Sequence, residues 1–290
     1  MIKESGAALS KLGIEAKRIT KDEFLHVQRK LEPMLDKIGI GTKFKLGWTM
    51  GSAGSWDPRH PYYSDQSVKQ DAGDIDVMVD ADELMAAFPP QVKPYRNQPS
   101  PEKEYADKLK SSKEQLAAWL TKQGFPNTGA QLNMAVDGIQ VDLIVKPHAG
   151  ETIHGHQMDY TKDVGMKGSD LWLKIWPTLI KMNASPKTGK VSIGKDPKGE
   201  DISALQLSPD KGVVDRETGE VLIPWSKKDE IAQLMVGPGV TGRDISSISG
   251  LRAALQKFPD KWNAVKDFFP QQPAKVGTNE WFRNMLNRIS

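Results

Sequence analysis

Residues 71–80 read DAGDIDVMVD and residues 131–145 read QLNMAVDGIQVDLIV. In the first stretch Ile75, Val77 and Val79 alternate with Asp74, Asp76 and Met78, and that period of two predicts a strand over 74–79 with one apolar face. In the second, two alternating runs flank Asp137-Gly138, the dipeptide that suits a two-residue hairpin turn. The outgoing arm sets Ile139, Val141, Leu143 and Val145 against Gln140, Asp142 and Ile144. Both strands therefore bury one side and carry carboxylates on the other. Side chains two apart on a strand share a face, so Asp74 and Asp76 can bind the same cations, with Asp142 supplied from a second strand.

Working outward, the apolar stretch Phe44–Met50 predicts a further strand that runs straight into GSAGSW, Gly51–Trp56. A glycine and serine turn of this kind exposes backbone N–H groups that can cradle a phosphate. A helix is predicted over 20–38, opened by Thr20 with Glu23 three residues later and carrying Phe24, Val27, Leu31, Met34 and Leu35 on one face. After the Pro-rich link 89–101, a second charged helix at about 101–123 packs through Tyr105, Leu109, Leu116, Trp119 and Leu120. These elements predict an α+β fold, a mixed sheet flanked by helices.

The second half has a different texture. SDLWLKIWPTLIKM, residues 169–182, sets Trp172, Ile175, Trp176 and Leu179 at helical spacing, with Pro177 expected to kink or end the helix near Trp176. A small hairpin is expected at 212–224, and helices at about 227–236, 246–258, 260–269 and 278–288. The expected division is a first domain over 1–165 and a mainly helical second domain, with the hairpin, over 166–290.

Bulk properties limit the function classes. Among 290 residues, 40 basic side chains face 37 acidic ones, a net +3 that does not by itself specify a nucleic-acid partner. Cysteine is absent, which excludes disulfides, thiolate metal sites and cysteine nucleophiles. The first residues mix charges without an apolar run, and no segment approaches about 18 consecutive apolar residues, so no membrane partner is expected and the expected location is cytoplasmic.

Strand, Gly-Ser turn, Asp-x-Asp strand and a single aspartate on a later strand, in that order, resemble the DNA polymerase beta-like nucleotidyltransferase superfamily, over roughly residues 20–147. The resemblance implies a nucleotidyltransferase-like catalytic domain for 1–165. One departure stands out: Ser52 to Asp74 is longer than the short helix-bearing link of the family, and it carries SWDPRHPYYSDQSVKQD in place of a pattern that could be transferred. Trimming 57–68 is expected to alter acceptor choice or rate while leaving Mg²⁺ and triphosphate binding intact.

The resemblance implies Asp74, Asp76 and Asp142 as catalytic residues and as ligands of two Mg²⁺ ions, with Mn²⁺ as a substitute. Two divalent cations about 4 Å apart stabilise the attacking and leaving oxygens of phosphoryl transfer, and hard carboxylate oxygens suit them. Asp142 would also deprotonate or orient the acceptor hydroxyl. Gly51 and Ser52 would hold the β- and γ-phosphates, Ser55 would extend that loop, and Lys174 and Lys181 would contact the triphosphate. The implied activity moves a nucleoside monophosphate from a nucleoside triphosphate, such as ATP, to an acceptor hydroxyl and releases pyrophosphate.

The acceptor stays open between a nucleic-acid 3′ end (tRNA or other RNA before DNA), a small molecule and a protein side chain. Residues 181–199 carry Lys181, Lys187, Lys190, Lys195 and Lys198 against Asp196, a net +4 that can track a phosphate backbone or be a solvated loop. A non-catalytic binding or structural protein that keeps the fold is the alternative from another class. Asp71 and Asp80 read as caps or surface charges, and Trp172 and Trp176 as core. Trp56, Tyr62, Tyr63 and Tyr160 read as candidate stacking surfaces for a base. His60, His148, His154 and His156 read as loop histidines rather than metal ligands. Subunit number is not legible.

Overall fold

The computed structural model of the chain describes residues 10, 12–15, 18–41, 49–64, 71–95, 97–147, 149–159, 161, 170–183 and 205–269. The expected strand over 44–50 is described only at its end, and the helix at 278–288, Tyr160, His148 and four of the five lysines of 181–199 lie outside the described residues. The fold is mixed α+β. Two compact units divide between Ile153 and His154, earlier in the chain than the expected 165/166.

In the first unit, helix α1 (Lys21–Asp36) begins with a capping box. The Glu23 backbone N–H donates to Thr20 Oγ1, and the Thr20 N–H donates to Glu23 Oε2 at 2.9 Å. Its buried stripe is Phe24, Val27, Leu31 and Leu35, with Met34 only partly buried. Strand β1 (Thr49–Met50) leads without a spacer into α2 (Gly51–Gly54), a single helical turn where the sequence suggested an open loop. Strand β2 (Ile75–Asp80) follows, and then α3 (Ala81–Ala87), which was not anticipated. Asp80 caps α3 by accepting from the Asp82 and Glu83 N–H groups, while Asp71 pairs with Arg18 at the surface.

Helix α4 (Pro101–Lys122) opens with Ser100 as N-cap and Pro101 in the first turn, where proline's missing N–H costs nothing. It buries Leu116, Ala117 and Leu120, but Tyr105 is exposed, so the expected packing through Tyr105 is corrected. Tyr105 lies more than two turns from that patch, near a helix start that has left the core. Strands β3 (Asn133–Val136) and β4 (Ile139–Lys146) form the hairpin around Asp137-Gly138. Both turn residues have positive φ, 51° and 79°, as a type I′ turn requires.

The strand order is β1-β2-β4-β3, with β2 and β4 parallel and the two outer pairings antiparallel. Ile75, Val77 and Val79 join Ile139, Val141 and Leu143 beneath α1 and α4 in one continuous core. Helix α5 (Ala149–His156), also unanticipated, lays Ala149 and Ile153 on Met78, with Ile144 and Met50 alongside. The carboxylate-bearing face of the sheet is thus covered over one part.

In the second unit α6 (Asp170–Met182) continues through Pro177 to Met182, so the helix does not end near Trp176. Leu179 and Ile180 beyond the proline are buried, and their packing outweighs the one backbone bond that Pro177 cannot donate. Trp172 and Trp176 are core; the Trp172 indole donates to the Ile245 carbonyl at 2.8 Å. The expected hairpin is a three-stranded antiparallel sheet of β5 (Leu205–Ser208), β6 (Gly212–Asp215) and β7 (Val221–Ile223). Helices α7 (Lys228–Met235), α8 (Ile248–Gln256) and α9 (Pro259–Val265) close this unit's core. Among the described residues no helix is long and apolar enough to cross a membrane.

Candidate active site

Register decides which side chains meet. Asp76 of β2 is the direct partner of Asp142 on the parallel strand β4. Met50 of β1 lies opposite Asp76, and Asn133 of β3 opposite Asp142. Partners in register share a face, so Met50, Asp76, Asp142 and Asn133 form one row across four strands about 4.8 Å apart. Asp74, just before β2 begins, falls on the same side. The three aspartates expected from the sequence are brought together on one face, next to the part that α5 covers, and all three stay partly accessible.

Their mutual charge is visible in Asp76. Its carboxyl is pushed up from 3.8 to about 7, first by burial and then by repulsion from Asp74 and Asp142. Two like charges beside a third in a half-dry setting disfavour its ionisation. Asp142 is approached from its own strand: Gln140 Nε2 donates to both of its carboxylate oxygens at 3.1 Å. Gln140 itself is 5% exposed, and its Oε1 is buried with no hydrogen-bond partner.

The turn after β1 supplies the remaining wall. Gly51 has φ +66°, and a Cβ placed there would stand 3.1 Å from Asp76 Oδ2. Both its conformation and its closeness to a carboxylate call for glycine. A Cβ at Gly54 would lie 2.5 Å from the Thr49 carbonyl oxygen, so the turn is pressed onto β1 as well. An anion held by the Gly51 backbone would face the Asp76 carboxyl at short range, an arrangement that a cation between them or a proton on Asp76 would favour.

The remaining residues expected at the site belong to several elements. Ser52 belongs to α2 through its backbone. Ser55 is buried and Trp56 is packed edge-on against Phe24 with ring centroids 6.0 Å apart, so neither presents itself to a phosphate or a base. The sequence placed both in a loop, and the apolar Trp56 ring instead joins the core. His60, expected on a polar loop, is 6% exposed. Tyr62 and Tyr63 are partly buried, and Tyr63 Oη accepts from Lys21 Nζ at 3.1 Å. Lys174 and Lys181 lie on α6 of the second unit, seven residues apart on the side away from its Trp172, Ile175, Trp176 and Leu179 stripe.

The long link after Gly51 has an anchor that the sequence did not reveal. Asp57, wholly buried, accepts from Gln28 Nε2 at 2.8 Å and from the Arg59 backbone N–H at 2.9 Å and guanidinium at 2.8 and 3.0 Å. Arg59 also forks onto Glu32 of α1. The hydrogen bond to Asp57, helped by Glu32, drives the Arg59 guanidinium further up against the opposing effect of its burial. Removal of 57–68 would take away this anchor.

As for a metal, the donor chemistry fits: three hard carboxylates sit on one face, and the raised Asp76 would be relieved by a cation. Among the described residues no three His, Cys, Asp or Glu side chains converge on a point that could hold one ion. Comparison of the chain with protein-family models, with curated proteins and with solved structures gave no match.

Proposed function

We propose that the protein is a divalent-cation-dependent nucleotidyltransferase that transfers a nucleoside monophosphate from a nucleoside triphosphate to an acceptor hydroxyl. The observation that carries this reading is the register of Asp76 on Asp142, with the Gly51 backbone against the Asp76 carboxylate. Asp74, Asp76 and Asp142 would hold Mg²⁺, or Mn²⁺ in its place. The ions would neutralise charge on the attacking and leaving oxygens. Asp142, on the open part of the face, takes the proton of the acceptor hydroxyl. That oxygen forms a bond to the α-phosphorus as the bond to the bridging oxygen breaks, and pyrophosphate leaves with the electron pair. The backbone at Gly51 and Ser52 positions the phosphates next to the acidic row.

The acceptor is proposed to be a nucleic-acid 3′ end, RNA before DNA, on the lysines of residues 181–199. The test incubates wild type and Asp76→Ala with Mg²⁺, each α-labelled triphosphate in turn, and pools of RNA, single-stranded DNA, small molecules and protein. Label should move to one acceptor class with wild type only. Transfer that persists in Asp76→Ala refutes the assignment. Polymer binding that weakens steeply with salt supports the nucleic-acid acceptor, whereas salt-independent turnover assigns a small one.

A further inference from the structure

Gln140 is a buried amide on the acidic face, and its two ends are in opposite conditions. Alternation on β4 puts it on the Asp142 side of the strand. Its Nε2 reaches both Asp142 oxygens at 3.1 Å, while its Oε1 is enclosed with no donor. Rotating the amide by half a turn would set that oxygen against the two Asp142 carboxylate oxygens, so their acceptor character favours the orientation seen. A buried acceptor left without a donor opposes folding, and a well-packed apolar side chain of similar size would avoid it. The arrangement is one that serves the neighbouring carboxylate rather than the core.

We propose that Gln140 is a positioning residue: its amide N–H group sets the rotamer of Asp142, so that this carboxylate is presented to a divalent cation shared with Asp76. This rests on the cation-dependent reading above. The geometry has a direct consequence for affinity. A ligand carboxylate held by an outer hydrogen bond loses less freedom when it binds the ion, and loss of such a partner weakens metal binding on the order of 10- to 100-fold.

The experiment uses the full-length chain and Mn²⁺ alone, with free Mn²⁺ measured by its electron paramagnetic resonance signal. Wild type, Gln140→Met, Asp142→Asn and the double variant are compared, with thermal unfolding recorded for each. Methionine keeps the length and volume of glutamine and removes both the donor and the orphaned oxygen. Gln140→Met is expected to unfold no lower than wild type and to bind Mn²⁺ about 10- to 100-fold more weakly. In the Asp142→Asn background the same change should add little, because a residue that acts through Asp142 has nothing left to position. Unchanged or tighter binding by Gln140→Met overturns the inference, as does an effect of equal size in both backgrounds. If Gln140→Met fails to fold, Gln140→Leu carries the same comparison. Wild type that binds no Mn²⁺ would instead defeat the cation reading on which this rests.

Discussion

Replacing Asp76 with asparagine should make the protein more stable at alkaline pH while abolishing transfer. The Asp76 carboxyl, ordinarily near 3.8, is pushed up to about 7 by burial and by Asp74 and Asp142. For an acid whose folded value exceeds its unfolded one, the contribution to stability is fully present below about pH 4 and is lost as pH rises through about 7, because the unfolded chain releases the proton sooner. At about 1.4 kcal/mol for each tenfold step, the gap sets an upper limit near ~4 kcal/mol on the penalty above pH 7. Relaxation of the three side chains should reduce what is observed to about 1–3 kcal/mol. Asparagine has nearly the same shape and no charge to lose. Urea unfolding of wild type and Asp76→Asn, with and without Mg²⁺, should show the variant ahead at about pH 8 and level at about pH 4. Mg²⁺ should raise wild type alone. A variant no more stable than wild type at the higher pH, or favoured equally at both, would refute the argument that crowded charge raises Asp76.

Three further outcomes follow from named contacts. Gly51→Ala places a side chain at φ +66° and 3.1 Å from Asp76 Oδ2; it should cost about 1–2 kcal/mol in thermal unfolding and weaken Mn²⁺ binding. Arg59→Met removes the guanidinium from Asp57 and Glu32 while leaving Asp57 its bonds from Gln28 and the residue-59 backbone N–H; since Arg59 is about a third exposed, the loss should be about 3 kcal/mol, at the low end for a broken buried pair, and should be read as a shifted urea midpoint. Lys228 is partly buried with its ammonium over the rings of Trp172 and Trp225, and desolvation pushes that ammonium down to about 7 although it donates to the carbonyls of His154, Gly155 and Gln157. The unfolded chain then binds the extra proton between about 7 and 10.5, so stability should rise with pH across that window, and Lys228→Met should flatten the rise.

Local pattern carried much of the first unit. Thr20 with Glu23, Ser100 with Pro101, and Asp137-Gly138 each state their structure through neighbours only a few residues away, and alternation on β2 and β4 predicted which carboxylates share a face. What stayed hidden depends on partners distant in sequence. Trp56 looks like a loop aromatic until Phe24 is set beside it, and Asp57 looks like a turn residue until Gln28 and Glu32 arrive from α1. Helix α5 has only Ala149 and Ile153 as an apolar signal, and what it covers is visible only in the sheet. Gln140 was legible as a member of the Asp142 face; its burial and its unmatched oxygen were not. Pro177 shows the reverse case, a strong local breaker overruled by the packing of Leu179 and Ile180.

The central claim is that Asp74, Asp76 and Asp142 form one cation site that serves a triphosphate at Gly51. It is tested most directly by anomalous diffraction from crystals of the full chain grown with Mn²⁺ and a non-hydrolysable nucleoside triphosphate. The account predicts a manganese peak bridging Asp76 and Asp142, with the triphosphate beside the Gly51 backbone. A triphosphate bound elsewhere, or manganese bound to other residues while these three carboxylates keep their present positions, would contradict it.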